Sequence, residues 1–338
     1  MSQIVLYFIF LLFASLFLLK TTDSVLRYFN FFSQPTNRGL HKYPITTSGG
    51  AYFIFYLLFI FLVLDESILG QNSYGVFTLS LIVIIFGLID DKKNLNRKMK
   101  LFFQLIISLI LILSFNFNLF QNLFPSINID YVHLFLNIIF IIGLINFINF
   151  IDGSDGNLTL FIFFIFICLI VKLKFNFLIE QYLYLIYLLP FLICFYLFNI
   201  QKKIFLGESG SFFLGIFLIL NLNYFVSKNI IIITDLLIIA SYFISDMIIT
   251  FFLRIYHYGI HSFKAHRDHA YQQFCYLKKE HKKLNVYMCF YNFLYLLPLY
   301  FLNLSSNISD LLIILICYIP PIIFILKFSP LVKIKNAN

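Results

Sequence analysis

Four polar clusters and one basic loop interrupt an otherwise apolar chain, and each holds residue types able to do chemistry. The first cluster runs Gly87-Leu88-Ile89-Asp90-Asp91-Lys92-Lys93. Adjacent carboxylates repel, so one can keep its proton above the usual range or both can share a cation. Either property suits a proton acceptor or a Mg²⁺ site; a charged helix end is the plain alternative. The second runs Asn146-Phe147-Ile148-Asn149-Phe150-Ile151-Asp152-Gly153-Ser154-Asp155-Gly156. Its polar groups recur every three residues and so share a helix face. Two glycines then break the helix and let backbone approach a ligand. Four polar groups closing an apolar span are costly unless they are used.

The third cluster, Phe205-Leu206-Gly207-Glu208-Ser209-Gly210-Ser211, precedes an apolar run. A glycine turn before a helix offers free N–H groups and a positive dipole end, both suited to phosphate. Glu208 adds a hard oxygen ligand for Mg²⁺, although an ordinary helix cap can have the same composition. The fourth is Lys264-Ala265-His266-Arg267-Asp268-His269-Ala270-Tyr271-Gln272. His266 and His269 lack a cysteine or second histidine pair to complete a zinc site, and Lys264 and Arg267 would repel a cation. Hydrogen bonds from His266, Arg267 and His269 to phosphate or sugar fit better, with a basic loop held by anionic lipid as the alternative. The basic loop Asn37–Gly50, which includes Lys42, fits an anion contact or a solvated surface. Asp246 and Arg254 stand about two helical turns apart. They are either a further site candidate or a lone ion pair.

The elements that carry these clusters follow from composition. Of 338 residues, 61% are hydrophobic and only 12% charged, about half the usual share for a soluble domain. Mean hydropathy is +0.93. This excludes a soluble domain, a disordered chain and a disulfide scaffold. Continuous rather than alternating apolar runs argue against a β-barrel. The expectation is an all-α integral membrane protein forming a single polytopic domain over 1–338. Eleven spans are expected, over 4–19, 47–64, 74–89, 101–120, 131–151, 158–171, 176–198, 211–226, 230–253, 285–303 and 311–326. With the N-terminus periplasmic and the C-terminus cytoplasmic, the inner loops are 20–46, 90–100, 152–157, 199–210 and 254–284. These loops and the tail hold all 24 Lys and Arg residues except Lys172, Lys174 and Lys228. Nearly every unusual polar cluster then meets the cytoplasmic face. The net charge of +9 reads as loops facing anionic lipid and substrate, with no nucleic acid as partner. The five cysteines show no metal spacing.

Taken in order, these motifs resemble the polyprenyl-phosphate N-acetylhexosamine-1-phosphate transferases. That family includes the phospho-MurNAc-pentapeptide transferases and the enzymes that start O-antigen and related glycans. The resemblance spans roughly residues 34–272. It rests on the Asp-Asp pair, the N-x-x-N-x-x-D-G-x-D-G run, the F-x-G-acid-x-G-S turn and the histidine loop. It implies a Mg²⁺-dependent reaction (Mn²⁺ as a substitute) at the cytoplasmic face of the bacterial inner membrane. Undecaprenyl phosphate attacks the β-phosphorus of a UDP-HexNAc, and UMP leaves. By the resemblance, Asp90 and Asp91 are catalytic and deprotonate or orient the lipid phosphate. Lys42, Asn149, Asp152, Asp155, His266, Arg267 and His269 bind substrate, and Glu208 with Asp152 holds the metal. A homodimer is compatible with the resemblance.

Two departures stand out. Glu208 replaces the family's Asp and adds a methylene, and the first loop reads Pro44-Ile45-Thr46-Thr47-Ser48-Gly49-Gly50 where many relatives have Pro and Arg before the glycines. The histidine loop is similar to that of relatives using UDP-6-deoxy-HexNAc donors such as FucNAc or QuiNAc. That favours initiation of a surface glycan over the alternative, peptidoglycan synthesis. Two readings without chemistry compete: an inactive scaffold, favoured by Glu208, and a transporter, which would place ionisable groups along a path through the bilayer.

Overall fold

The computed structural model describes residues 2–34, 43–63, 73–123, 130–259, 268–278, 280–305 and 308–334. It is 84% helical, which sets the all-α class. The chain divides into two compact units, Met1–Ile231 and Ile232–Asn338.

The first unit opens with α1 (Ser2–Tyr28), followed by the two-residue strands β1 (Phe32–Ser33) and β2 (Ile45–Thr46), paired antiparallel. A 3₁₀ turn, Gly49–Tyr52, leads into α2 (Phe53–Val63). Then come α3 (Ser73–Lys93), α4 (Arg97–Ser114), the short α5 (Leu119–Leu123), α6 (Asp130–Ile151), α7 (Asn157–Phe175), α8 (Leu183–Asn199) and α9 (Gly207–Ser227). Helix α9 is buried along nearly its whole length and packs against α3, α5, α6 and α7. Its first turns explain why. Ser209, Gly210 and Ser211 are small, and a Cβ added to Gly87 of α3 would sit 2.2 Å from the Ser209 Cα. Lipid gives little hydrophobic drive between helices, so close approach of small residues and internal hydrogen bonds hold such a bundle. An aromatic layer of Tyr52, Phe53, Phe191, Phe195, Phe213 and Phe217 fills the space between α2, α8 and α9.

The second unit contains α10 (Ile233–Ile239), α11 (Ser241–Tyr258), α12 (Ala270–Lys278) and α13 (His281–Cys289), then a π-helical turn (Phe290–Leu296), α14 (Leu297–Ser305), α15 (Asp310–Phe328) and α16 (Pro330–Ile334). Helix α15 is its hub and packs against α10, α11, α12 and α14. The Tyr291 hydroxyl donates to the Cys317 carbonyl at 2.9 Å and shares a 2.8 Å hydrogen bond with Ser241.

Helix covers part of all eleven expected spans, but the count is lower by length and composition. Seven helices among the described residues are long and apolar enough to cross a bilayer. They become eight if α10 and α11, bent by 80°, form one span. The difference lies in three segments: Gly49–Leu62 and Leu183–Asn199 are apolar but shorter, and α4 opens with Arg97, Lys98 and Lys100. Two loop boundaries also move. Asp90 and Asp91 lie in the last turn of α3 instead of opening a loop, and Glu208 lies inside the first turn of α9.

Candidate active site

The ends of α3, α4, α6 and α9 bring the acidic motifs of the first unit together. Asp90 and Asp91 are neighbours on a helix, so they point about 100° apart and serve different partners. Asp90 is 1% exposed. One of its oxygens accepts the Leu95 N–H at 2.9 Å, and the other meets the Lys100 ammonium at 2.6 Å. Asp91 accepts the Ser48 hydroxyl at 2.7 Å and the Glu208 and Ser209 N–H groups at 2.9 and 3.4 Å. It thus caps α9 from another helix, satisfying N–H groups that a helix start leaves open. Gly207 makes this possible. Its φ is +73°, and a Cβ there would lie 2.5 Å from the Asp91 Oδ2.

Glu208 is held at both carboxylate oxygens: Oε1 accepts from Lys100 at 2.8 Å, and Oε2 from the Asn149 amide at 2.8 Å. Lys100 therefore bridges Asp90 and Glu208. Burial alone would pull its ammonium down, but the hydrogen bonds and charges of the two carboxylates outweigh that and hold it above its ordinary value. The extra methylene of Glu208 is accommodated by two fixed donors.

The turn after α6 is stapled to the segment before α9. Asn199 accepts the Gly156 N–H and donates to the Ile204 carbonyl at 2.8 Å. Phe205 N–H donates to the Thr46 carbonyl at 2.7 Å, and Gly49 and Gly50 donate to the carbonyls of Phe205 and Leu206, each at 2.9 Å. Within this turn Asp155 lies 4.0 Å from Lys202. Asp152 is half-buried. Burial first, then the charges of Glu208, Asp155 and Asp91, pushes its carboxyl well above the ordinary range. Ser154 and Asn157, each 1% exposed, keep a hydroxyl and a side-chain amide with no hydrogen-bond partner among the described residues. Unmet buried polar groups cost about 1–3 kcal/mol each.

The second unit holds its own polar cluster. Asp246, 2% exposed, accepts the Ala270 N–H at 3.0 Å and pairs with the His269 Nδ1 at 3.0 Å. Arg254 pairs with Asp268. Asp246 and Arg254 thus each have another partner, contrary to the lone-pair alternative. Lys42, His266 and Arg267 lie outside the described residues.

Asp90, Asp91, Asn149, Asp152, Asp155 and Glu208 therefore belong to one neighbourhood of the first unit, and His269 to a cluster of the second. Spacing alone missed Lys100, Ser48 and Asn199. Lys100 is one of five basic residues in 90–100, where its charge reads as topology; its place immediately before a mostly apolar run was the only local signal. No three His, Cys, Asp or Glu side chains among the described residues converge as a preformed metal cage. The donor set nonetheless fits Mg²⁺, which takes one or two carboxylates and completes its shell with water and substrate phosphate. Asp152, negative when ionised and facing other carboxylates, is the observation that fits.

Residues 73–225 match the family model described as glycosyl transferase family 4. That segment contains Asp90, Asp91, Lys100, Asn149, Asp152, Asp155 and Glu208. No curated protein matches the chain.

Proposed function

From the match of residues 73–225 to glycosyl transferase family 4, the family of polyprenyl-phosphate hexose-1-phosphate transferases, we propose that this multi-pass membrane protein moves a HexNAc 1-phosphate from a UDP-HexNAc to undecaprenyl phosphate. UMP is released, and a lipid-linked surface glycan of O-antigen type is begun. The donor is a 6-deoxy sugar of the FucNAc or QuiNAc kind, and the site faces the cytoplasm at the bacterial inner membrane. The observation that carries this reading is the convergence of Asp90, Lys100, Asn149, Asp152 and Glu208 from four helix ends inside the matched segment.

An oxygen of the lipid phosphate attacks the donor's β-phosphorus. The bond from that phosphorus to the oxygen bridging to UMP breaks, and the electron pair leaves with UMP. Lipid phosphate is already anionic near neutral pH, so positioning and charge neutralisation matter more than a strong base. Mg²⁺, when bound, supplies positive charge to the diphosphate oxygens; Glu208 and Asp152 would hold it. Asp91 fixes the start of α9 and hence Glu208. Lys100 holds Asp90 and Glu208 in place and lends a positive charge where two anions must meet. Ser154 and Asn157 offer a hydroxyl and an amide to the donor. The two-point hold on Glu208 weighs against the inactive-scaffold reading.

The test is a donor labelled with ³²P at the β-phosphorus. The label should move into the lipid phase while UMP stays unlabelled. Label remaining in the aqueous phase, or a lipid-linked sugar lacking it, would refute phosphosugar transfer.

A further inference from the structure

The N-x-x-N run holds a residue to which the transfer scheme gives no task. Asn146 faces Gln104 of α4 in a reciprocal amide pair. Gln104 Nε2 donates to Asn146 Oδ1 at 3.1 Å, and Asn146 Nδ2 donates to Gln104 Oε1 at 2.9 Å. Gln104 is 2% exposed. Each member stands next to a residue that holds Glu208. Gln104 is one turn beyond Lys100 on α4, and Asn146 is three residues before Asn149 on α6. Lys100 and Asn149 grip opposite oxygens of the same carboxylate, so a rotation or slide of α4 on α6 would pull them apart. Apolar packing is incomplete beside the pair. An apolar cleft opens beside the pair, lined by Gln104 with Val83, Phe103, Ile145, Phe212 and Ile216. Dispersion falls away quickly across such a gap, whereas a double amide bond has one geometry.

We propose that Gln104 and Asn146 are positioning residues, a polar lock that sets α4 on α6 so that Lys100 and Asn149 hold Glu208 from both sides. The catalytic consequence rests on the transferase reading; the lock itself does not. The test uses full-length protein in nanodiscs, spin-labelled at Lys98 and Phe150, which are exposed on α4 and α6, with Cys289→Ser to remove the exposed native thiol.

Gln104→Leu/Asn146→Leu removes both amides and leaves none unpaired. Its label-to-label distance should broaden or shift by about 1 Å or more, and kcat for UMP release should fall about tenfold or more with donor KM within about twofold. Asn146→Ser, able to bond its own helix carbonyl, breaks the pair by a second route and should do the same even if the leucine pair misfolds. Gln104→Asn/Asn146→Gln keeps the summed reach and should restore at least about half of kcat. Unchanged distances in the pair-breaking variants would overturn the lock, and wild-type kcat alongside altered distances would overturn its positioning role in transfer. If the wild type releases no UMP, the transferase reading fails and the distances alone decide the lock.

Discussion

Replacing Lys100 with Met probes the site through the residue that its geometry makes central. The ammonium lies 2.6 Å from Asp90 and 2.8 Å from Glu208. At an effective dielectric of about 20, each contact is worth roughly 6 kcal/mol of Coulomb energy before desolvation. Desolvation cancels much of this, and breaking a buried pair typically costs about 3–5 kcal/mol. Lys100 and Glu208 retain 27% and 21% side-chain exposure, while Asp90 has 1%. The lower end applies, about 3 kcal/mol, or roughly two decades in the unfolded fraction. Most of it is the strain of Asp90 left with one N–H donor. Lys100→Met/Asp90→Asn should therefore recover stability to within about 1 kcal/mol. Turnover should not recover, because losing one preorganised charge costs about 10²–10³ in rate. Size-exclusion thermal profiles and UMP release in nanodiscs measure the two effects. A Lys100→Met protein with wild-type stability and turnover within about threefold would refute the bridging role.

Asp152 and Glu208 give two further expectations. The folded-state pKa of Asp152 is raised, so its contribution to stability is full below the ordinary carboxylate range and is lost as pH climbs through the raised value. In EDTA, Asp152→Asn should gain on the wild type by up to about 1.4 kcal/mol per pH unit in that window, read from denaturation midpoints across pH; parallel profiles would contradict the burial argument. Glu208→Gln should flatten the Mg²⁺ dependence of rate while Glu208→Asp preserves it, and an unchanged Mg²⁺ titration in the Gln variant would remove Glu208 from the metal shell.

Much of the acidic half of the site was legible because its motifs are local. Asn149 lies in the last turn of α6 with Asp152 and Asp155 in the turn that follows, and glycines mark where α9 begins. What spacing could not show is which donor each carboxylate meets. Asp90 and Asp91 look equivalent in sequence, yet the helical turn sends one to Lys100 and the other to cap α9. Lys100 was hidden by its basic neighbours, whose charges carry topology as readily as chemistry. The bend between α10 and α11 falls at Ala240, with no proline or glycine to announce it. Span count suffered for a related reason: apolar runs such as Leu183–Asn199 are helical but short, and hydropathy does not distinguish a short span from a buried helix.

The central claim is tested most directly with purified protein, Mg²⁺, undecaprenyl phosphate and a panel of UDP-HexNAc donors, scoring UMP release. Transfer with a 6-deoxy donor, abolished by Asp90→Asn and by omission of the lipid phosphate, is the result expected. Folded wild-type protein that releases no UMP from any donor, or releases it equally without the lipid, would contradict it.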